Sequence, residues 1–301
     1  MSLIARAFRV RHWLRVQARD AVELFLLPSL AAVLPWSLCF LLYKQVARSR
    51  WLYRQAAGFA LEQAQRRGYA DDPQRWLYQR KLVTLVDHAD LFLATFRSAR
   101  WMRKYLRVVG AWPSGDEPQV LCTFHWGAGM WSLRHIKNAG LNAHILVASL
   151  KSANFHGRPV LHWYARWRTA RLSKELGNTT IDASSSLRAV VNAMRAREQI
   201  IAVVDVPADA VAASSDVKML GGQIRVPRGL LRVAADRKVA VTVFTVGIDL
   251  ENGRRQLTIH TLPVEENIEI LMVQVFAKME AALRDAPAAW HFWGEADRFF
   301  V

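Results

Sequence analysis

One stretch of the chain joins a titratable side chain to unusual backbone freedom: Val120-Leu-Cys-Thr-Phe-His125-Trp-Gly-Ala-Gly-Met130-Trp131. An apolar run of the kind that forms a buried strand ends at Phe124. That puts His125 at the strand's carboxyl end, where open α/β sheets gather reactive groups. Gly127 and Gly129 permit close backbone approach where the next helix begins. Imidazole titrates near neutrality and suits general-base work, although a strand-end histidine is also a common packing or capping residue. A second cluster, Arg166-Trp-Arg168-Thr-Ala-Arg171, brings guanidinium groups that bind phosphate bidentately; 32 of the 41 basic residues are Arg. The same cluster also reads as a basic helix face lying on anionic membrane. His135, His144, His156 and His162 have no metal-ligand spacing with nearby acids and read as surface or packing residues.

The block from His125 to Trp131 resembles the catalytic block of the lysophospholipid acyltransferase superfamily, and within it the bacterial lipid A biosynthesis (late) acyltransferase family. Further blocks agree in order: Arg158-Pro159 to Trp163 with Arg166, Arg168 and Arg171; Val203-Val-Asp205-Val-Pro207; Leu220-Gly-Gly222, then Val226-Pro-Arg228-Gly229; and Ala286-Pro287 to Trp290, then Arg298-Phe299. The resemblance implies transfer of a fatty acyl chain from an acyl carrier protein or coenzyme A thioester to a hydroxyl of a lipid or glycolipid. It implies His125 as general base and needs no metal, cofactor or covalent enzyme intermediate. It makes Arg168 the substrate-contacting arginine, with Arg166, Arg171 and Arg228 as further substrate-binding candidates. Backbone N–H groups around Gly127 to Gly129, or a nearby Arg, are the expected oxyanion donors. The implied setting is a bacterial inner membrane with the catalytic domain facing the cytoplasm.

The chain departs from the family at one position. The pattern is His, four residues, then an acid, and the fifth residue here is Met130, which cannot accept the imidazole proton. In the Ser-His-Asp template, neutralising the acid costs about 10⁴ in rate. Asp205, ending a neighbouring strand, is the first candidate for a substitute, with Asp182 behind it; Asp205 reads equally well as a turn or cap carboxylate. The alternative function is a catalytically impaired relative that binds lipid or carrier protein, and a carboxylate within reach of His125 discriminates the two.

The rest of the chain must position these residues. Its 301 residues, 52% of them hydrophobic, support a sizeable core, and 41 Lys+Arg against 25 Asp+Glu give a net charge of +16. Such a chain seeks polyanions. A mean hydropathy of +0.04 in so basic a chain means that apolar and basic stretches are segregated, which favours an anionic membrane surface over nucleic acid, for which no recognition motif is present. Leu24 to Tyr43 is uncharged and about as long as the roughly 20 residues of a spanning helix, though Pro28 and Pro35 interrupt it. It reads as a retained anchor, spanning or interfacial, with a buried helix pair broken at the prolines as the alternative. Ahead of it, Leu3, Ala7, Val10, Leu14 and Ala18 fall at helical spacing, leaving Arg6, Arg9, Arg15 and Arg19 for lipid headgroups. Cys39 and Cys122 lie in apolar runs and read as reduced structural thiols.

Three regions follow: 1–50, basic and membrane-anchoring; 51–112, a helical lead-in; and 113–301, an α/β catalytic domain, with 51–301 forming one unit. The predicted strands are 120–124, 143–149, 179–183, 199–206, 239–248 and 256–262. Predicted helices lie at 158–176, 184–197, 228–237 and 265–285. Alternation of this kind predicts an α/β fold with a mixed or mostly parallel sheet covered by helices.

Overall fold

A computed structural model describes residues 3–148, 150–183, 188–207, 209 and 213–300, and of residues 3–7 and 154 the backbone only. Seven strands form one sheet in the order β1-β9-β8-β2-β5-β3-β4. They are β1 (Leu106–Val109), β2 (Gln119–Thr123), β3 (Ala143–Val147), β4 (Thr180–Asp182), β5 (Gln199–Val203), β8 (Ala240–Ile248) and β9 (Arg255–Thr261). All neighbours pair parallel except β8 with β9. The expected α/β architecture with a mostly parallel sheet is therefore present. The central strands are buried on both faces: along β2, Val120 and Cys122 join one apolar cluster and Leu121 the other.

The predicted strands and helices recur within a few residues, with helices α8 (Pro159–Leu176), α9 (Arg188–Arg195), α10 (Gly229–Asp236) and α11 (Ile268–Asp285). Ser149 and residues 184–187 of the expected elements lie outside the described residues. Unforeseen are the edge strand β1 and a separate antiparallel hairpin of β6 (Ser214–Met219) and β7 (Gly222–Pro227), whereas the helix expected to begin after Gly127 and Gly129 is α7 (Met130–Asn138). The sheet thus starts at Leu106, ahead of the loop at Trp112 to Pro118.

The N-terminal third is helical: α1 (Leu3–Ala21), a π-helical turn (Val22–Leu26), α2 (Leu27–Val33), α3 (Trp36–Ala47), α4 (Arg54–Arg66), α5 (Pro73–Phe96) and α6 (Ala99–Lys104). Helix α5 is the spine of this layer. Asp72 caps it by accepting from the Gln74 and Arg75 amides, with Pro73 at its first position.

The uncharged segment 24–43 is not one rod. Leu34 turns extended before Pro35, which cannot continue the helix, so α2 and α3 fold back as a pair against α5. Leu24, Ala31, Trp36, Cys39, Phe40 and Tyr43 are buried, and no helix among the described residues is long and apolar enough to cross a membrane. The other face of the segment remains apolar and exposed, at Leu26, Val33, Leu38 and Leu41. Helix α1 turns the expected apolar positions Val10, Leu14 and Ala18 outward. Its buried residues are Gln17 and Asp20, the latter paired with Arg158, whereas Phe8, Val10, Trp13 and Leu14 are exposed. The side chains of Leu3, Arg6 and Ala7 lie outside the described residues. Both cysteines are free and buried.

Candidate active site

Strand register brings the site together. Thr123 pairs with Val203, and the Val204 amide donates to the Thr123 carbonyl, so two residues further on His125 meets Asp205. Past the strand ends the Asp205 carboxylate takes the place of backbone acceptors. The His125 amide donates to its Oδ1 at 2.9 Å and Oδ2 at 3.0 Å, and His125 Nδ1 lies 3.1 Å from Oδ1. The carboxylate is fully buried while the imidazole keeps 35% of its side-chain surface exposed. With Nδ1–H donating to the carboxylate, Nε2 is left as the basic nitrogen, and it makes no hydrogen bond among the described residues. Phe292 stacks on the imidazole with centroids 4.0 Å apart, which fixes the ring plane and shields one face.

Met130, five residues after His125, is buried in the apolar cluster at the start of α7. Asp182 lies exposed on the edge strand β4, beyond β5 and β3 from His125. Of the carboxylates considered from the sequence, Asp205 alone reaches the imidazole.

The C-terminal tail, whose part sequence reasoning missed, forms the other wall. The Trp290 indole donates to Asp205 Oδ2 at 2.7 Å, the His291 amide to the His125 carbonyl at 2.6 Å, and the Trp126 indole to the Ala286 carbonyl at 3.1 Å. His291 Nε2 donates to the Gly127 carbonyl at 2.7 Å. From α5, Arg80 donates to the carbonyls of Trp290 (2.7 Å) and His291 (3.1 Å), tying the tail to the helical layer. The signal available in the sequence was the aromatic density of Trp290-His-Phe-Trp293 in a segment without periodicity.

Gly127 has a structural reason to be glycine: its φ is +70° and a Cβ there would lie 1.9 Å from the Val246 carbonyl oxygen. The expectation that its amide serves an oxyanion is corrected, because it donates to the Ala289 carbonyl, and the Ala128 amide donates to that of Val246.

The arginines separate. Arg168 is bound by Asp87 at 2.8 Å and by the Tyr164 hydroxyl at 3.3 Å. Arg171 is held by Glu175 and the Ala94 carbonyl. Arg166 is exposed on α8. Arg228 stands before α10, its Nε buried without a partner, and no contact joins it to His125 among the described residues.

Asp87 belongs to a buried polar cluster behind the site. Burial alone would raise its carboxyl, but Arg168, then His291 and His88, bring it below its ordinary value. Burial pushes His88 and His291 down to about 4, so both rings are neutral.

The chain matches no protein-family model and no curated protein.

Proposed function

We propose that the protein is an acyltransferase moving a fatty acyl chain from a carrier-protein or coenzyme A thioester to a hydroxyl of a lipid or glycolipid. The observation that carries this reading is the buried Asp205 carboxylate on Nδ1 of a half-exposed His125 at the carboxyl end of the central strands. In this reading Nε2 takes the proton of the acceptor hydroxyl as its oxygen attacks the thioester carbonyl. The tetrahedral intermediate collapses with breakage of the C–S bond. The imidazolium returns the proton to the departing thiolate, giving an ester and a free thiol. Asp205 holds the tautomer and stabilises the imidazolium. The impaired-relative reading rested on the lack of an acid at Met130, and the geometry at Asp205 favours the enzyme over it.

The membrane part of the reading becomes interfacial. Exposed Phe8, Trp13 and Leu14 on α1, Leu38 and Leu41 on α3 and Trp163 on α8 accompany a net charge of +16, which suits an anionic bilayer surface on the cytoplasmic side. Arg166, exposed three residues from Trp163, is the member of the α8 cluster best disposed toward a headgroup phosphate.

The test is acyl transfer from a panel of carrier-protein thioesters to a total bacterial lipid extract, comparing the intact protein with His125→Ala and Asp205→Asn at matched membrane content. Loss of product in both variants supports the reading. Product from His125→Ala at the intact rate would falsify the base, and no product from any form would return the bet to a non-catalytic binding protein.

A further inference from the structure

A cleft of about 770 Å³ is lined by five cations and no carboxylate: Lys44, Arg48 and Arg50 at the end of α3, and Arg75 and Lys81 in the first half of α5. None of the five joins an ion pair among the described residues. By contrast, Arg134, Arg158, Arg168, Arg171 and Arg255 are all held against buried carboxylates. The negative end of α3 accounts for Lys44 and Arg48, but Arg75 lies in the first turn of α5, where a cation is disfavoured. Helix-end stabilisation therefore does not account for Arg75. The cations are nevertheless positioned: Lys81 Nζ donates to the Ser49 carbonyl at 2.8 Å, and Arg48 lies 6.0 Å over the Tyr78 ring.

Leu250 lines this cleft and also a second groove of about 640 Å³. Its lining mixes Thr245, Gly247, Ala281 and Ala282 with Asp249, Lys278 and Asp285, and it touches Trp126 and Gly127 but not the imidazole. On the site's side of the cleft, Arg80, next to Lys81 on α5, donates to the Trp290 and His291 carbonyls of the tail that walls His125.

We propose that the basic cleft is the landing site of an acidic acyl carrier protein, the donor of the acyl group. The inference rests on the acyl-transfer reading above and names where the donor binds. Arg48, Arg50 and Arg75 are exposed and spread over two helices, an arrangement suited to several carboxylates along a partner helix.

The test compares the full-length protein with an Arg48→Glu/Arg75→Glu variant and an Arg237→Glu control from the far end of α10. Turnover is measured with an acyl carrier-protein thioester, the matching coenzyme A thioester and a short N-acetylcysteamine thioester, alongside direct binding of holo carrier protein and of phosphatidylglycerol vesicles. The double variant is expected to lower kcat/KM for the carrier thioester about ten-fold or more relative to the short thioester, and to weaken carrier binding, with the control unchanged. Equal loss with all donors, or none, would overturn the docking site while leaving acyl transfer standing. So would loss confined to the coenzyme A thioester or to vesicle binding. If no donor is turned over by the intact protein yet carrier binding still falls in the double variant, the docking site stands and the transfer reading fails.

Discussion

The Trp290 indole N–H sits 2.7 Å from Asp205 Oδ2, on the opposite oxygen from the one nearest the His125 ring. A carboxylate with no solvent contact is thereby satisfied on both sides, and its orientation toward the imidazole is set from the tail. Trp290→Phe keeps most of the ring and deletes the donor. Orphaning that hydrogen bond is expected to cost about 1–3 kcal/mol of stability and to reduce kcat more than it raises KM, since the histidine is less well oriented. Thermal melts with steady-state kinetics on the lipid acceptor check this. An unchanged kcat would remove Trp290 from the positioning of the pair.

Placing an acid five residues after His125 is expected to fail. Met130 is buried among apolar residues, so Met130→Glu places a carboxylate where no polar partner waits. The expected result is a loss of about 2–4 kcal/mol with no gain in rate. Denaturant unfolding and transfer assays read the two effects separately, and a faster enzyme of ordinary stability would show that position 130 still addresses His125.

Much of this was legible in the sequence because β-branched apolar runs such as Gln199–Val203 and Ala240–Ile248 have few ways to be buried other than as central strands. His125 and Asp205 were legible as strand-end groups, but their meeting depends on the Thr123–Val203 register, a tertiary fact. The hairpin was hidden because Ser-Ser-Asp-Val-Lys-Met is polar on one face, leaving only the turn at Leu220 and Gly221, both with positive φ, as a signal. The apolar run 24–43 misled for a different reason: length and hydropathy are the same for a spanning rod and for a pair bent at Pro35.

Acid should weaken the fold. His88 and His291 are held neutral by burial, with values of about 4 against 6.5 in an ordinary setting. The unfolded chain therefore takes up protons below about pH 6.5 that the folded one refuses until about pH 4. Stability from the two rings is full above pH 6.5 and declines as pH falls toward 4. Because both rings keep a little exposed surface, the loss by pH 5 is expected to be on the order of 2 kcal/mol per ring at most. A Tm series from pH 7 to 5 should fall steeply for the intact protein and less steeply for His88→Gln and His291→Gln. Parallel slopes for all three would contradict the assignment.

Truncation separates packing from membrane contact within the N-terminal region. Trp36 lies 4.3 Å from the Arg255 guanidinium, which is also flanked by Trp131 and paired with Asp90, and its indole donates to the Gly253 carbonyl at 3.2 Å. Tyr43 donates to the Leu27 and Pro28 carbonyls, closing α2 on α3. Deleting residues 1–45 strips these side chains from α5 and from the Arg255 pair. Each large apolar group removed is worth about 1.5–3 kcal/mol, so several together exceed a typical domain's stability. That truncation is expected to give no cooperative melt. Deleting residues 1–15 removes exposed Phe8, Val10, Trp13 and Leu14 but leaves Gln17 and the Asp20–Arg158 pair in place. The shorter truncation should fold with a Tm near that of the full chain and partition less onto phosphatidylglycerol vesicles in a sedimentation assay. Undiminished vesicle binding would take α1 out of the membrane contact, and a cooperative melt after loss of 1–45 would mean that the helix pair is not part of the core.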